Sequence, residues 1–105
     1  MGFRLTYQRQ LTMIVPPNVR EINYLPIYKS LSLSEVRILP GSHLEKIGDG
    51  AFARTEIREF LAPPSLREIG YAAFINCKSL VHAPIPKTTV VKEMCFLGTY
   101  AVQAR

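Results

Sequence analysis

Apolar residues in this chain fall in short groups at fixed spacings, and the groups recur. Ile47-Gly48-Asp49-Gly50-Ala51-Phe52 returns as Ile69-Gly70-Tyr71-Ala72-Ala73-Phe74, twenty-two residues later. A Leu stands three residues before each Ile, at Leu44 and Leu66, with Pro40 or Pro64 upstream. Toward the N-terminus Val19-x-x-Ile22 follows Pro17, and Ile27 takes the Phe place. Toward the C-terminus Val91 and Phe96 keep the spacing of Ile69 and Phe74, and Pro86 stands where Pro64 stood. The Phe-place residues Ile27, Phe52, Phe74 and Phe96 are separated by 25, 22 and 22 residues, with the extra length around Gly41-Ser42. Self-similarity at such a period marks a stack of units, each burying its apolar face only against its neighbours.

A second apolar column completes the unit. Leu11, Leu33, Ile57, Leu80 and Val102 each follow the preceding Phe-place residue by five or six, and Ile14, Val36, Phe60 and Ala83 come three later. These runs are too brief for helices and lie beside Pro and Gly, so they predict short strands. The Ala-Phe segments predict single helical or 3₁₀ turns. Gly48 and Gly70 predict a backbone turn that a side chain would obstruct, with Asn23 in the same place in the first copy. Lys92 fills that place in the fourth, so a different turn is expected there. The organisation expected is an N-terminal extension or cap over 1–10 and one domain over 11–105, with copies at roughly 11–32, 33–56, 57–79 and 80–105.

The pattern Ile69-Gly70-x-x-Ala73-Phe74-x-x-Cys77-x-x-Leu80 resembles the BspA-type leucine-rich repeats. The match is close from about Val36 to Leu80 and looser from Leu11 and out to Val102. The resemblance implies a mainly β, right-handed leucine-rich-repeat solenoid of about four coils with degenerate ends and short helical or 3₁₀ turns. It also implies a role in binding proteins or surfaces, and it implies no catalytic residues, because the motif positions are core positions. The core expected from the columns is Ile22, Ile27, Leu44, Ile47, Phe52, Leu66, Ile69, Phe74, Cys77, Leu80, Val91, Cys95 and Phe96.

Composition adds limits. At 105 residues and 48% hydrophobic, the chain can bury one continuous core. No apolar run reaches the roughly 20 residues that span a bilayer, and the start shows no secretory signal pattern, so an intracellular location of unknown compartment is expected. Met1-Gly2 followed by Thr6 fits the loose N-myristoylation pattern, which short length makes common by chance. Cys77 aligns with Ser30, Thr55 and Thr99, and Cys95 with Ala51 and Ala73. Both columns take small inward residues, so buried reduced thiols are expected rather than a bridge. His43 and His82 lie in different columns, and neither a metal site nor a cofactor site is expected.

Catalytic signatures are missing from the sequence: there is no Gly-rich phosphate loop, no Gly-x-Ser-x-Gly turn and no His pair at helical spacing. The outward charges instead suit stacking. Arg20-Glu21, Glu45-Lys46 and Arg67-Glu68 would set opposite signs beside each other in adjacent repeats. In the fourth copy this pair becomes Thr89-Val90, and the outward Arg58-Glu59 becomes Val81-His82, so the surface turns apolar near the C-terminus. The expected function is a non-catalytic protein-protein interaction module, a small peripheral or structural subunit or scaffold of a larger assembly. Its expected contacts are Val81, His82, Val90, Leu97 and Tyr100, with Tyr24 and Tyr28 as a second group. The net charge of +5 supports an alternative, electrostatic attachment to nucleic acid or an anionic membrane surface such as RNA or lipid headgroups. A further alternative is a fragment of a longer surface-recognition repeat protein.

Overall fold

A computed structural model of the chain describes residues 10–23 and 32–101, and Ile27, Tyr24, Tyr28 and Val102 lie outside that range. Six strands occur among the described residues: β1 (Gln10–Val15), β2 (Glu21–Ile22), β3 (Ser32–Ile38), β4 (Lys46–Ile47), β5 (Glu68–Ile69) and β6 (Val90–Val91). Every pairing is parallel and joins a strand to its counterpart one repeat later. β1 and β3 form one sheet, and β2, β4, β5 and β6 form the other in that order. A parallel bridge between Glu59 and His82 carries the first sheet's pairing into the later repeats.

Two-residue strands are enough because each repeat adds backbone bonds elsewhere. The N–H groups of Gly50, Phe52 and Arg54 donate to the carbonyls of Tyr71, Ala73 and Ile75 at 2.9, 2.8 and 2.8 Å. Ala72, Phe74 and Asn76 donate to Glu93, Cys95 and Leu97 at 3.1, 2.9 and 2.7 Å. Alternate residues therefore form a third ladder through the Ala-Phe segments. Those segments are chained turns rather than helices: Ala51, Ala53 and Thr55 each donate to the carbonyl three residues back. No helix occurs among the described residues. Apart from Gly41, positive φ falls in two columns with members twenty-two residues apart, Gly50, Ala72 and Met94 in one and Arg54, Asn76 and Gly98 in the other. Each such residue is the third of its turn, the place where a type II turn needs that conformation. A helix cannot tolerate it.

Gly48 and Gly70 each open a turn, their carbonyls accepting from Ala51 and Ala73 N–H at 3.2 Å, but neither they nor Asn23 have positive φ, so it is not a left-handed backbone that excludes a side chain there. A Cβ on Gly70 would meet the Asp49 nitrogen at 2.6 Å and the Gly48 carbonyl carbon at 2.7 Å. Glycine is needed there because the preceding repeat's backbone leaves no room. Lys92, in the fourth copy, keeps the bond to the preceding repeat but not the turn bond, since Cys95 N–H makes no bond to Lys92 O like those of Ala51 to Gly48 and Ala73 to Gly70 among the described residues. Its N–H reaches Ile69 O at 2.9 Å, as Gly70's reaches Ile47 O at 2.7 Å, and the turn run with positive φ at Met94 and Gly98 follows.

The sheets and the turn ladder enclose columns of apolar side chains. Leu33, Ile57 and Leu80 form one, Ile22, Ile47 and Ile69 another, with Leu44 and Leu66 beside it, all buried. The Phe column is a stack: Phe52 and Phe74 have ring centroids 5.3 Å apart at 16°, and Phe74 and Phe96 5.3 Å at 2°. Phe60 leans on Phe74 at 5.0 Å. Val91 and Phe96, expected in the core, are only partly buried, since no described repeat follows them. Ile14 is a second correction. Leu11 pairs with Leu33, but after a bulge Thr12 pairs with Glu35, Met13 with Val36 and Ile14 with Arg37. The extra residue is Ser34 of β3; β1 has none, so plain alternation from Leu11 puts Met13 in the core column and turns Ile14 outward.

Two substitutions test this packing in denaturant melts. Phe74→Ala is expected to lower the unfolding free energy by about 3–5 kcal/mol, because it empties the middle of the ring stack. Gly70→Ala is expected to lower it by about 1–3 kcal/mol through the backbone clash. A change from Gly70→Ala within about 0.5 kcal/mol, the usual range for an unconstrained surface site, would show that the repeats separate at no penalty.

Candidate functional site

Side chains pointing out of the first sheet make a continuous face. Strand alternation sends Thr12 and Ile14 of β1 and Glu35 and Arg37 of β3 outward, and the bridge aligns Glu59 and His82 with them. Beside this face lies an open groove of about 520 Å³, lined by Ser34, Glu35, Arg58, Glu59, Val81 and His82. Of the expected contact residues, Val81 and His82 therefore share one surface. Val81 is 60% exposed.

Val90, 57% exposed, projects from β6 on the second sheet. Leu97 and Tyr100, 54% and 74% exposed, sit on the final turn run and on the segment after it, where Tyr100 N–H donates to Leu80 O at 3.2 Å. Val81 and Val90 thus stand by different sheets, while the Tyr100 backbone sits against Leu80, the neighbour of Val81. Tyr24 and Tyr28 lie outside the described residues.

Thr89 is not outward, contrary to expectation. Its N–H donates to Pro86 O at 3.0 Å as Leu66's does to Pro63 O at 3.1 Å, so Thr89 occupies the buried Leu place at 1% exposure. Its hydroxyl is satisfied by Leu66 O at 2.8 Å. Only Val90 of that pair reaches the surface. Other exposed apolar residues, Leu61, Tyr71 and Met94, went unmarked in the sequence reading. Leu61 could have been found: it is adjacent to inward Phe60, and strand alternation turns it outward.

Electrostatics on these faces are those of paired surface charge. Arg20 reaches Glu45 at 3.0 Å, Arg37 reaches Glu35 at 2.8 Å and Lys92 reaches Glu68 at 3.9 Å. On the second sheet Glu21 pairs with Lys46 and Lys46 with Glu68, giving alternating sign along the column. The guanidinium of Arg37 beside Glu35 holds that carboxyl below its ordinary range and raises Arg37 in turn. Among the described residues no three His, Cys, Asp or Glu side chains cluster to hold a metal ion. The two cysteines are buried and free. Cys77 donates to Phe52 O at 2.9 Å and contacts the Thr55 hydroxyl at 3.4 Å. Burial raises both thiols, Cys95 to about 12, so neither is a ready nucleophile.

What the residues form is a repeating scaffold with varied outer side chains and no assembled reactive group among those described. A family model described as the BspA type leucine rich repeat region (6 copies) matches residues 6–103. The chain belongs to the BspA-type leucine-rich repeat family. No curated protein and no solved structure matches it. Members of this repeat family act as interaction modules and are generally not enzymes, in keeping with motif positions that the BspA-type repeat fills with core residues. No helix among the described residues is long and apolar enough to cross a membrane.

The buried thiols give a measurable pH dependence. Their folded-state pKa values lie above the ordinary value of roughly 8.5, so the unfolded chain loses these protons first as pH rises. Stability should be unaffected by them below about pH 8.5 and fall progressively toward the Cys95 value of about 12. Cys95→Ala, which keeps the small residue of Ala51 and Ala73, should flatten that fall in melts taken at alkaline pH.

Proposed function

We propose that the chain is a non-catalytic protein-binding module, a small peripheral or structural subunit or scaffold of a larger assembly. The reading takes it as a right-handed solenoid of about four coils over 11–105, with imperfect coils at the ends. The observation that carries it is the surface change in the last repeat. Val81, Val90, Leu97 and Tyr100 are each more than half exposed, although the interior is fully packed with other apolar side chains. Large exposed apolar residues grouped on one part of a small chain are the composition of a protein contact.

The groove beside Val81 favours protein over a small ligand, because it is open and bordered by both signs of charge at Glu35, Arg58 and Glu59. Such a border suits an apolar contact ringed by polar groups. Family membership supports the same reading. A partner would gain affinity from covering Val81 and select its orientation through Arg58 and Glu59.

The test is affinity capture from the source organism's extract with the wild-type chain and with Val81→Asp. The variant places a charge on an exposed position and should leave the melting temperature nearly unchanged. It should lose the captured protein by about tenfold or more, the equivalent of 1.4 kcal/mol of binding free energy. Equal capture by both chains would remove this face from the contact.

A further inference from the structure

We propose that the cavity beside Arg54, Asn76 and Lys78 binds a phosphate group carried on a side chain of a partner protein. The cavity, of about 330 Å³, lies on the turn-ladder side of the molecule and is lined by those three among the described residues. Arg54 and Asn76 come from successive repeats and share the second positive-φ column, at φ 62° and 57°. Their N–H groups donate to Ile75 O and Leu97 O at 2.8 and 2.7 Å, so the ladder fixes both backbones at repeat spacing. Lys78 follows Asn76 by two, across the buried Cys77. Two adjacent repeats in the body of the stack therefore build this cavity.

The charges lining it are all positive. A guanidinium and an ammonium only donate, and the Asn76 amide adds two N–H donors. Other described cations have acidic company: Arg20, Arg37 and Lys92 each reach a glutamate, Lys46 stands between Glu21 and Glu68, and Arg58 shares its groove with Glu59. Arg54 and Lys78 make no ion pair and no side-chain hydrogen bond among the described residues. Glu56, the nearest carboxylate in sequence, is absent from the lining and pairs with neither.

Two unpaired cations on one cavity match a phosphate monoester, which carries about −1.5 to −2 charges at neutral pH, better than they match the single charge of a carboxylate. Arginine's fork takes two phosphate oxygens in parallel bonds, and lysine supplies a point charge to the third. In the next repeat the places of Asn76 and Lys78 fall to Gly98 and Tyr100, so the described repeats hold one phosphate rather than a track for a nucleic-acid backbone. Beside the cavity the ladder presents Leu97, 54% exposed, and Ile75, an apolar contact for a residue flanking the phosphorylated side chain. That a protein carries the phosphate rests on the protein-binding reading above. The contact itself is separate from the Val81 groove, which other residues line.

Amide NMR titration of the isotope-labelled chain tests the proposal, with a short peptide holding phosphoserine between leucines as the probe. The phosphopeptide should shift the amides of Arg54, Asn76 and Lys78 saturably, and bind about tenfold or more tightly than the same peptide with serine or glutamate in that place. Arg54→Gly removes the guanidinium and suits the positive φ, as Gly98 does in the same column, so it should stay folded and weaken binding about fivefold or more. Lys78→Gln, at an exposed position, should weaken it likewise, while Lys46→Gln on the second sheet should change nothing. Melting curves check that each variant is folded. Equal affinity for the phosphoserine and the serine or glutamate peptides, shifts spread over Lys46, Arg58 and Arg67, or unaltered affinity in both cavity variants would overturn the proposal. Single-stranded RNA or phosphatidylserine vesicles binding at these residues more tightly than the phosphopeptide would overturn it too. Each of those results leaves capture through Val81 standing.

Discussion

Each repeat in this chain must follow the backbone path of the one before it at strand spacing, and the Phe52–Phe74–Phe96 stack shows how tightly that is held. Rings 5.3 Å apart and nearly parallel require the turn segments carrying them to superimpose repeat on repeat. The turn ladder supplies that superposition through alternate N–H groups, and the parallel strands supply it on the other sides. Gly70 follows from the same requirement, because the backbone of Gly48 and Asp49 leaves no room for a Cβ there. So do the small residues at Thr55 and Cys77, which touch across the repeat boundary inside the core.

A fold built this way separates its two tasks. Inward positions are tied to the period, while outward positions are released from it and can vary. The charged pairs on the second sheet use that freedom weakly: exposed ion pairs contribute about 0.2–1 kcal/mol each, which is enough to favour one register without supporting the fold. The last repeat uses it differently, with Val81, Val90, Leu97 and Tyr100 exposed in place of charge. Burial itself runs out at the ends of a stack, so Val91 and Phe96 hold core positions by pattern and are only partly buried.

The repeat unit was legible in the sequence where its signals were redundant. From Leu44 to Leu80 the Leu, Ile, Gly, Ala and Phe places all agree, and the packing columns fall on those residues. Legibility failed where a single inserted or missing residue decides the outcome. β3 carries an extra residue, Ser34, that β1 lacks, so the spacing of three from Leu33 to Val36 does not hold from Leu11, and because Met13 and Ile14 are both apolar the pattern alone cannot tell them apart. Thr89 failed for a related reason. The fourth repeat has one residue fewer between its buried column and its strand, and Thr is small enough to take the Leu place with its hydroxyl bonded to a carbonyl. The Gly places were legible as turns that a side chain would obstruct, but not that the preceding repeat, rather than a left-handed backbone, is what obstructs.

The chain's order of apolar and small residues by itself determined the period, the identity of the inward columns and the family, because those depend on what each position must bury. Tertiary structure alone decided which exposed residues share a face. It put Val81 and His82 beside the first sheet and Val90 on the second. Neighbourhood on the surface depends on where each turn sends the chain, and that depends on backbone angles at residues such as Ala72 and Met94, whose side chains do not announce a positive φ.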